Sequence, residues 1–148
     1  MSDSAKAVRP TTVSCLMYRD PNAAMQWLCD TFGFTQHAAY EDPPGRVVHA
    51  ELTFGSGMVM LGSVRADSPY GKLVAQPDQV AGRETQTVYV VAADPDDIYR
   101  RAKAAGAKIL LDIKDEDYGG RGFTCSDPEG HIWTVGSYDP WQPKPGAH

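Results

Sequence analysis

The chain has 148 residues, of which 42% are hydrophobic and 22% are charged, and its formal net charge at pH 7 is −5. This length and composition predict one compact core and exclude intrinsic disorder or dependence on a disulfide framework. No cluster of Lys and Arg is present, which argues against a nucleic-acid-binding surface and leaves small molecules as the expected partners.

The first part of the chain shows a strand, a helix and three more strands. Residues 12–18 are β-prone, and Asp20-Pro21 supplies an N-cap and a first-turn proline for a helix that ends before Gly33. The next strands are predicted at residues 34–40, 47–54 and 58–61. Residues 63–84 have no sustained period and form a connector, which at this length is often functional.

The same order returns from residue 85. A strand at 87–92 is followed by a helix that Asp94-Pro95 caps and Gly106 stops. Further strands are predicted at 108–113, 122–126 and 132–138, and a Pro-rich tail covers 139–148.

Equivalent residues in the two halves keep a nearly constant separation. Asp20 matches Asp94 (94 − 20 = 74), and Gly62 matches Gly136 (136 − 62 = 74). The repeat predicts an α+β fold in which two tandem βαβββ modules, at 11–62 and 85–138, form a cupped mixed β-sheet within one domain, 1–148. Right-handed crossovers would place the helices on the outer face, with a pocket at the junction of the modules.

Three strings carry a family resemblance: His49-Ala50-Glu51-Leu52, Tyr118-Gly119-Gly120-Arg121 and Asp127-Pro128-Glu129-Gly130-His131. Over residues 12–138 the chain resembles the glyoxalase/bleomycin-resistance/extradiol-dioxygenase superfamily, also called vicinal oxygen chelate proteins, and within it the PhnB-like branch. The resemblance implies a duplicated βαβββ fold, and it implies a homodimer because relatives often pair about a twofold axis.

Metal-dependent relatives bind a divalent ion through His, Gln or Glu, and the resemblance places those four positions at Val13, Met60, Thr87 and Thr134. A thioether and two neutral hydroxyls do not supply the carboxylate or imidazole donors that divalent ions require. We therefore expect no metal cofactor, and none of the metal-dependent activities of the superfamily.

Strand alternation predicts which side chains line the cup. If Val13 and Thr87 point inward, Cys15 and Tyr89 do so as well, and Met58 follows Met60. Soft thioethers and aromatic rings suit a planar organic ligand, which we expect to contact Cys15, Met58, Met60, Tyr89 and Thr134. The alternative is that these side chains only fill space between the sheets.

His49 and Glu51 should share the cup face, because Val48, Ala50 and Leu52 suit the opposite, helix-packed face. They are the candidate catalytic residues, as a general base and its orienting carboxylate. The alternatives are half of a displaced metal site, a pair at the sheet edge or a dimer contact.

Tyr118 and Arg121 lie in a Gly-rich loop that borders the cavity in the resembled branch. Arg121 at the rim could bind a carboxylate, enolate or phenolate in a bidentate manner. The alternative for Arg121 is an ion pair with Asp115, Glu116 or Asp117.

Two classes of function remain. The first is a protein that binds or sequesters an aromatic or drug-like ligand in a metal-free cup. The second is a lyase, isomerase or dioxygenase that uses His49 and Glu51, or a metal site not recognised in the sequence. Three cysteines without paired spacing, no apolar run of transmembrane length and a polar N-terminus predict a cytoplasmic protein with free thiols and no membrane partner.

Overall fold

The computed structural model describes residues 9–143. They form eight strands and two α-helices, in two compact units that divide between Gln76 and Pro77. Each unit runs strand, helix, then three strands, and each holds one four-stranded mixed sheet. The predicted α+β class with two βαβββ repeats is confirmed.

The N-terminal unit contains one helix and four strands. Its elements are β1 (Ser14–Tyr18), α1 (Pro21–Phe32), β2 (Thr35–Glu41), β3 (Val47–Phe54) and β4 (Gly57–Ser63). The strand order is β1-β4-β3-β2, in which β1 is parallel to β4 and the other pairs are antiparallel. The two middle strands, β4 and β3, therefore carry the centre of this sheet.

Local sequence sets the ends of α1, and an apolar stripe fixes its packing. Asp20 accepts a hydrogen bond from the Ala23 amide at 3.1 Å, while Gly33 ends the helix in the left-handed region at φ 95°. Leu28 is fully buried and α1 packs mainly on β3 and β4, where Leu52 and Leu61 are also fully buried. One face of the sheet is thereby covered by α1.

The C-terminal unit repeats this plan. Its elements are β5 (Val88–Val91), α2 (Pro95–Ala104), β6 (Lys108–Asp115), β7 (Arg121–Ser126) and β8 (Ile132–Gly136), with strand order β5-β8-β7-β6. The caps of the two helices have nearly the same backbone angles, φ −128° and ψ 81° at Asp20 against φ −127° and ψ 79° at Asp94. The sequence repeat is thus a structural repeat at the level of single residues.

The core of the C-terminal unit lies between α2 and its sheet. Ile98 and Ala102 of α2 are buried, and the Tyr99 ring meets the Phe123 ring of β7 edge-on with centroids 5.2 Å apart. Trp133 and Val135 of β8 are fully buried. These residues identify the face of this sheet that α2 covers.

The connector is built of short turns. The structure extends it beyond the predicted 63–84, from the end of β4 at Ser63 to the start of β5 at Val88, and it includes 3-10 turns at Gly71–Leu73 and Pro77–Val80. Gln76 donates to the Met17 carbonyl oxygen at 2.8 Å, so the connector is fastened to the end of β1. No helix within residues 9–143 is long and apolar enough to cross a membrane.

Candidate functional site

The N-terminal sheet has a second face, turned away from α1. Cys15 of β1 lies opposite Met60 of β4, and Met60 lies opposite Glu51 of β3. Because neighbouring residues on each strand, such as Ala50 and Leu61, are buried towards α1, these three side chains point the other way. We call this surface the N-terminal distal face, with the members Cys15, Met17, His49, Glu51, Met58 and Met60.

A glycine makes room for one of these thioethers. Met17, Gly62 and His49 form the next row across β1, β4 and β3. A Cβ atom on Gly62 would lie 3.0 Å from Met17 Sδ, so the methionine side chain rests against the bare glycine backbone. Met17 thus lies over Gly62, in the same row as His49 and beside the row that contains Met60.

His49 and Glu51 share the distal face, as strand alternation predicts. Nε2 of His49 and Oε2 of Glu51 are 3.0 Å apart, and the two side chains are 38% and 24% exposed. The Tyr40 ring of β2 lies beside the imidazole with centroids 5.8 Å apart. The pair is thus half-buried, with the Tyr40 ring on one side and the methionines of β1 and β4 on the other.

The hydrogen bond between His49 and Glu51 fixes the roles of their atoms. An ionised carboxylate has no hydrogen to donate, so the proton lies on Nε2 of His49. In the neutral ring, Nδ1 is then an acceptor. The arrangement can orient an imidazole for proton transfer, or it can present acceptors to a ligand.

The C-terminal sheet has a corresponding C-terminal distal face, formed by Tyr89, Thr124, Thr134 and Gly136. Tyr89, Thr134 and Thr124 form a row across β5, β8 and β7. The hydroxyls of Thr124 and Thr134 are 2.8 Å apart and hydrogen-bond to each other. This face therefore carries a satisfied hydroxyl pair where the N-terminal distal face carries Met60 and Glu51.

Tyr89 lies across Gly136. Its hydroxyl donates to the Tyr138 carbonyl oxygen at 2.8 Å, and a Cβ atom on Gly136 would lie 2.6 Å from that hydroxyl. Burial raises the pKa of the Tyr89 phenol, and the neighbouring Tyr118 adds to this rise. The ring is 37% exposed and held at its polar end.

Tyr118 stands at the start of the Gly-rich loop that precedes β7. Its ring meets Tyr138 edge-on with centroids 5.0 Å apart, and it is 56% exposed. Gly120 has φ 72°, and a Cβ atom there would lie 2.6 Å from the Tyr138 amide nitrogen, so the loop needs this glycine. Burial, with Glu116 close by, raises the pKa of Tyr118. The loop thereby brings Tyr118 to Tyr138, the residue that also holds Tyr89.

Arg121 points to the opposite face of its sheet. Its Nε lies 2.9 Å from an Asp96 carboxylate oxygen of α2, and its Nη1 lies 3.4 Å from Oδ1 of Asp115. Asp96 is the main cause of the raised pKa of Arg121. The contact with Asp115 is the ion-pair alternative that the sequence left open, and Asp96 is a partner that the sequence did not suggest. A ligand-binding role for Arg121 stays a prediction.

The four positions that the family resemblance assigns to metal ligands, Val13, Met60, Thr87 and Thr134, do not supply suitable donors. Val13 and Thr87 directly precede β1 and β5, and Thr134 already hydrogen-bonds to Thr124. Within residues 9–143, no three His, Cys, Asp or Glu side chains form a group that could hold a metal ion. The donor chemistry therefore does not fit a divalent cation.

A buried polar cluster joins the connector to the Asp127-Pro128-Glu129-Gly130 turn. Nδ1 of His131 lies 2.5 Å from a Glu84 carboxylate oxygen, whose other oxygen accepts the Ile132 amide at 2.8 Å. Asp127 accepts the Trp133 indole N–H at 3.0 Å. The sequence offers no signal for the pairing of His131 with Glu84, because the two residues are 47 positions apart.

The sequence of this chain matches a family model and several known proteins. A family model described as Glyoxalase/Bleomycin resistance protein/Dioxygenase superfamily matches residues 10–135. The uncharacterized protein Rv0887c of Mycobacterium tuberculosis is 27% identical over 129 residues, which cover 87% of this chain and 75% of the relative.

Solved structures agree. TioX from Micromonospora sp. ML1 is 33% identical with a TM-score of 0.66, covering 86% of this chain and 97% of TioX. The fosfomycin resistance protein FosX from Mesorhizobium loti is 13% identical with a TM-score of 0.59, covering 90% and 95% of the two chains, a likeness that shows the fold alone. The chain belongs to the glyoxalase/bleomycin resistance protein/dioxygenase superfamily.

Proposed function

We propose that the protein binds a small, flat aromatic or drug-like compound without a metal and without turnover, as expected for a member of the bleomycin-resistance type. One observation carries the proposal: the distal face of each unit exposes side chains suited to an aromatic ligand, sulfur-containing ones in the N-terminal unit and tyrosines in the C-terminal unit. Cys15 is exposed, and Met58 and Met60 are partly exposed. Hydrophobic side chains left accessible beside a well-packed core are consistent with a ligand surface.

The chemistry of these side chains matches a planar organic molecule. Methionine is polarizable and adapts its shape, and sulfur makes favourable contacts with aromatic rings. Tyr89, held through its hydroxyl by Tyr138, offers a fixed ring on the C-terminal distal face. Tyr118 and Thr134 add a second ring and a methyl group. Each face thus provides a contact surface that does not depend on a metal.

Binding can be tested with neutral acridine at pH 7.5, followed by its fluorescence and by calorimetry. We expect one acridine per chain or fewer, with a Kd of about 10 μM or below, unchanged by EDTA. Met60→Ala should weaken binding at least about threefold, because it removes a polarizable contact. Met25→Ala on α1 is the matched control and should leave the affinity unchanged.

Two results would contradict the proposal. The first is that acridine and its larger aromatic analogues all fail to bind, up to their solubility limits, in a protein that melts cooperatively. Alternatively, Met25→Ala could weaken binding as much as Met60→Ala, which would indicate a site away from the distal face.

A second candidate function rests on the 3.0 Å contact between His49 and Glu51. The pair would act as a general base and its orienting carboxylate in a lyase or isomerase that acts on a small oxygenated substrate. For any activity found by screening, His49→Ala should lower kcat at least about a hundredfold. If an activity survives this change, the acid–base assignment is wrong.

We also propose the domain organisation, the oligomeric state, the cellular location and the family branch of the protein. The 148 residues form one domain with the connector at 63–84, in a cytoplasmic homodimer of the PhnB-like branch. The motifs His49-Ala50-Glu51-Leu52 and Tyr118-Gly119-Gly120-Arg121 support the branch, and free cysteines support a reducing compartment. Sedimentation velocity would test the dimer.

A further inference from the structure

The His49 and Glu51 pair on the N-terminal distal face presents only hydrogen-bond acceptors to a ligand. Nε2 of His49 donates to Glu51, which leaves Nδ1 of His49 and the second carboxylate oxygen of Glu51 as acceptors. Within residues 9–143 neither of these atoms has another hydrogen-bond partner. The pair therefore offers two acceptors and no donor to whatever covers it.

The charge of Glu51 is not offset by a cation on the neighbouring strands. The residues opposite it are Met60 on β4 and Ala38 on β2, and those opposite His49 are Gly62 and Tyr40. Glu51 itself is 24% exposed, and its carboxylate accepts a hydrogen bond from Nε2 of the neutral His49 ring. A carboxylate set among thioethers acts on a ligand charge more strongly than it would in bulk water.

We propose that the ligand of this face is an aromatic cation, a flat ring system that carries a protonated nitrogen. The inference rests on the proposed binding function and names its ligand class. The nitrogen donates to the free oxygen of Glu51, while the ring lies on the thioethers of Met17 and Met60. Tyr40, 57% exposed beside His49, adds an aromatic surface for the cation.

The same geometry disfavours anionic ligands. A carboxylate or phenolate on the ring would meet two acceptors and a negative charge, and it would lose its hydration without gaining a donor. The net charge of −5 acts in the same direction over longer distances. We therefore expect Glu51 to decide whether a cationic or an anionic ligand binds more tightly. This preference can be measured separately from the affinity for the neutral aromatic ring system.

Three compounds with one three-ring frame test the inference: 9-aminoacridine, a cation at pH 7.5, neutral acridine and acridine-9-carboxylate, an anion. We expect the wild-type protein to bind the cation at least about tenfold more tightly than the anion, with acridine between them. Glu51→Gln should reduce this preference to about twofold or less, because it removes the negative charge from the face. Asp30→Asn removes one charge from the exposed side of α1 and should keep the preference.

A second variant tests the charge without removing Glu51. Met60→Lys places an ammonium group opposite Glu51, and it should reverse the order so that the anion binds more tightly. Thermal melting of each variant shows whether it is folded.

The outcomes are distinguishable. If acridine binds and the cation and anion bind equally, the aromatic function stands and charge selection is wrong. Charge selection is also wrong if Glu51→Gln keeps the preference or if Asp30→Asn loses it. If none of the three compounds binds, both the inference and the proposed function are wrong.

Discussion

Two equivalent glycines let a side chain lie flat on each distal face. Gly62 supports Met17, and Gly136, 74 residues later (136 − 62), supports Tyr89. The neighbours differ in how far they can move: the Met17 thioether is flexible, whereas the Tyr89 hydroxyl is held by the Tyr138 carbonyl oxygen. The same substitution should therefore have unequal effects at the two positions.

Gly136→Ala should lower the free energy of unfolding by about 2 kcal/mol, because the new methyl group would lie 2.6 Å from the Tyr89 hydroxyl and force it off Tyr138. Gly62→Ala should cost less than about 1 kcal/mol, since Met17 can change its rotamer. Urea unfolding of both variants measures the difference.

Tyr89→Phe provides the control for this comparison. It removes the hydroxyl that a Cβ atom at Gly136 would meet first, so Gly136→Ala should cost less in that background than in the wild type. An equal cost in both backgrounds would show that the Tyr89 hydroxyl is not the source of the strain.

At the scale of elements, the sequence predicted most of the fold because its signals are local. Asp20-Pro21 and Asp94-Pro95 begin helices, and Gly33 and Gly106 mark where they stop. β-strand alternation also placed His49 and Glu51 on one face, because the apolar Ala50 and Leu52 fix the parity of β3. Local chemistry and period were sufficient for these elements.

Arg121 shows where local reasoning stopped short. The face to which its side chain points could be predicted, because Arg121, Phe123 and Cys125 share one face of β7. The buried Phe123 identifies that face as the one that packs against the helix. The main partner of Arg121 could not be predicted, because Asp96 lies on another element, 25 residues earlier. The contacts of Thr134 with Thr124 and of His131 with Glu84 likewise depend on strand register and connector path.

At the scale of the whole molecule, the repeat preserves architecture but not chemistry. The two units share their strand order, their helix caps and a glycine at the end of the last strand, which is Gly62 in β4 and Gly136 in β8. Their distal faces have diverged: one has an acid and an imidazole among thioethers, and the other has tyrosines and paired hydroxyls. The two units therefore share a scaffold, while the residues on each distal face decide what that face can bind.

Metal content is the whole-molecule property that follows most directly from this divergence. Met60 and Thr134 are two of the positions that the family resemblance assigns to metal ligands, and neither side chain can neutralise a divalent cation. Protein purified from medium that contains zinc, manganese and iron should hold less than about 0.1 metal ion per chain, as measured by inductively coupled plasma mass spectrometry. Its thermal midpoint should also stay within about 1 °C on addition of EDTA, because a group that does not bind the native state cannot stabilise it. One tightly held ion per chain, with a midpoint that falls by several degrees in EDTA, would show that the protein uses donors other than these residues and would favour the enzymatic candidate over the binding one.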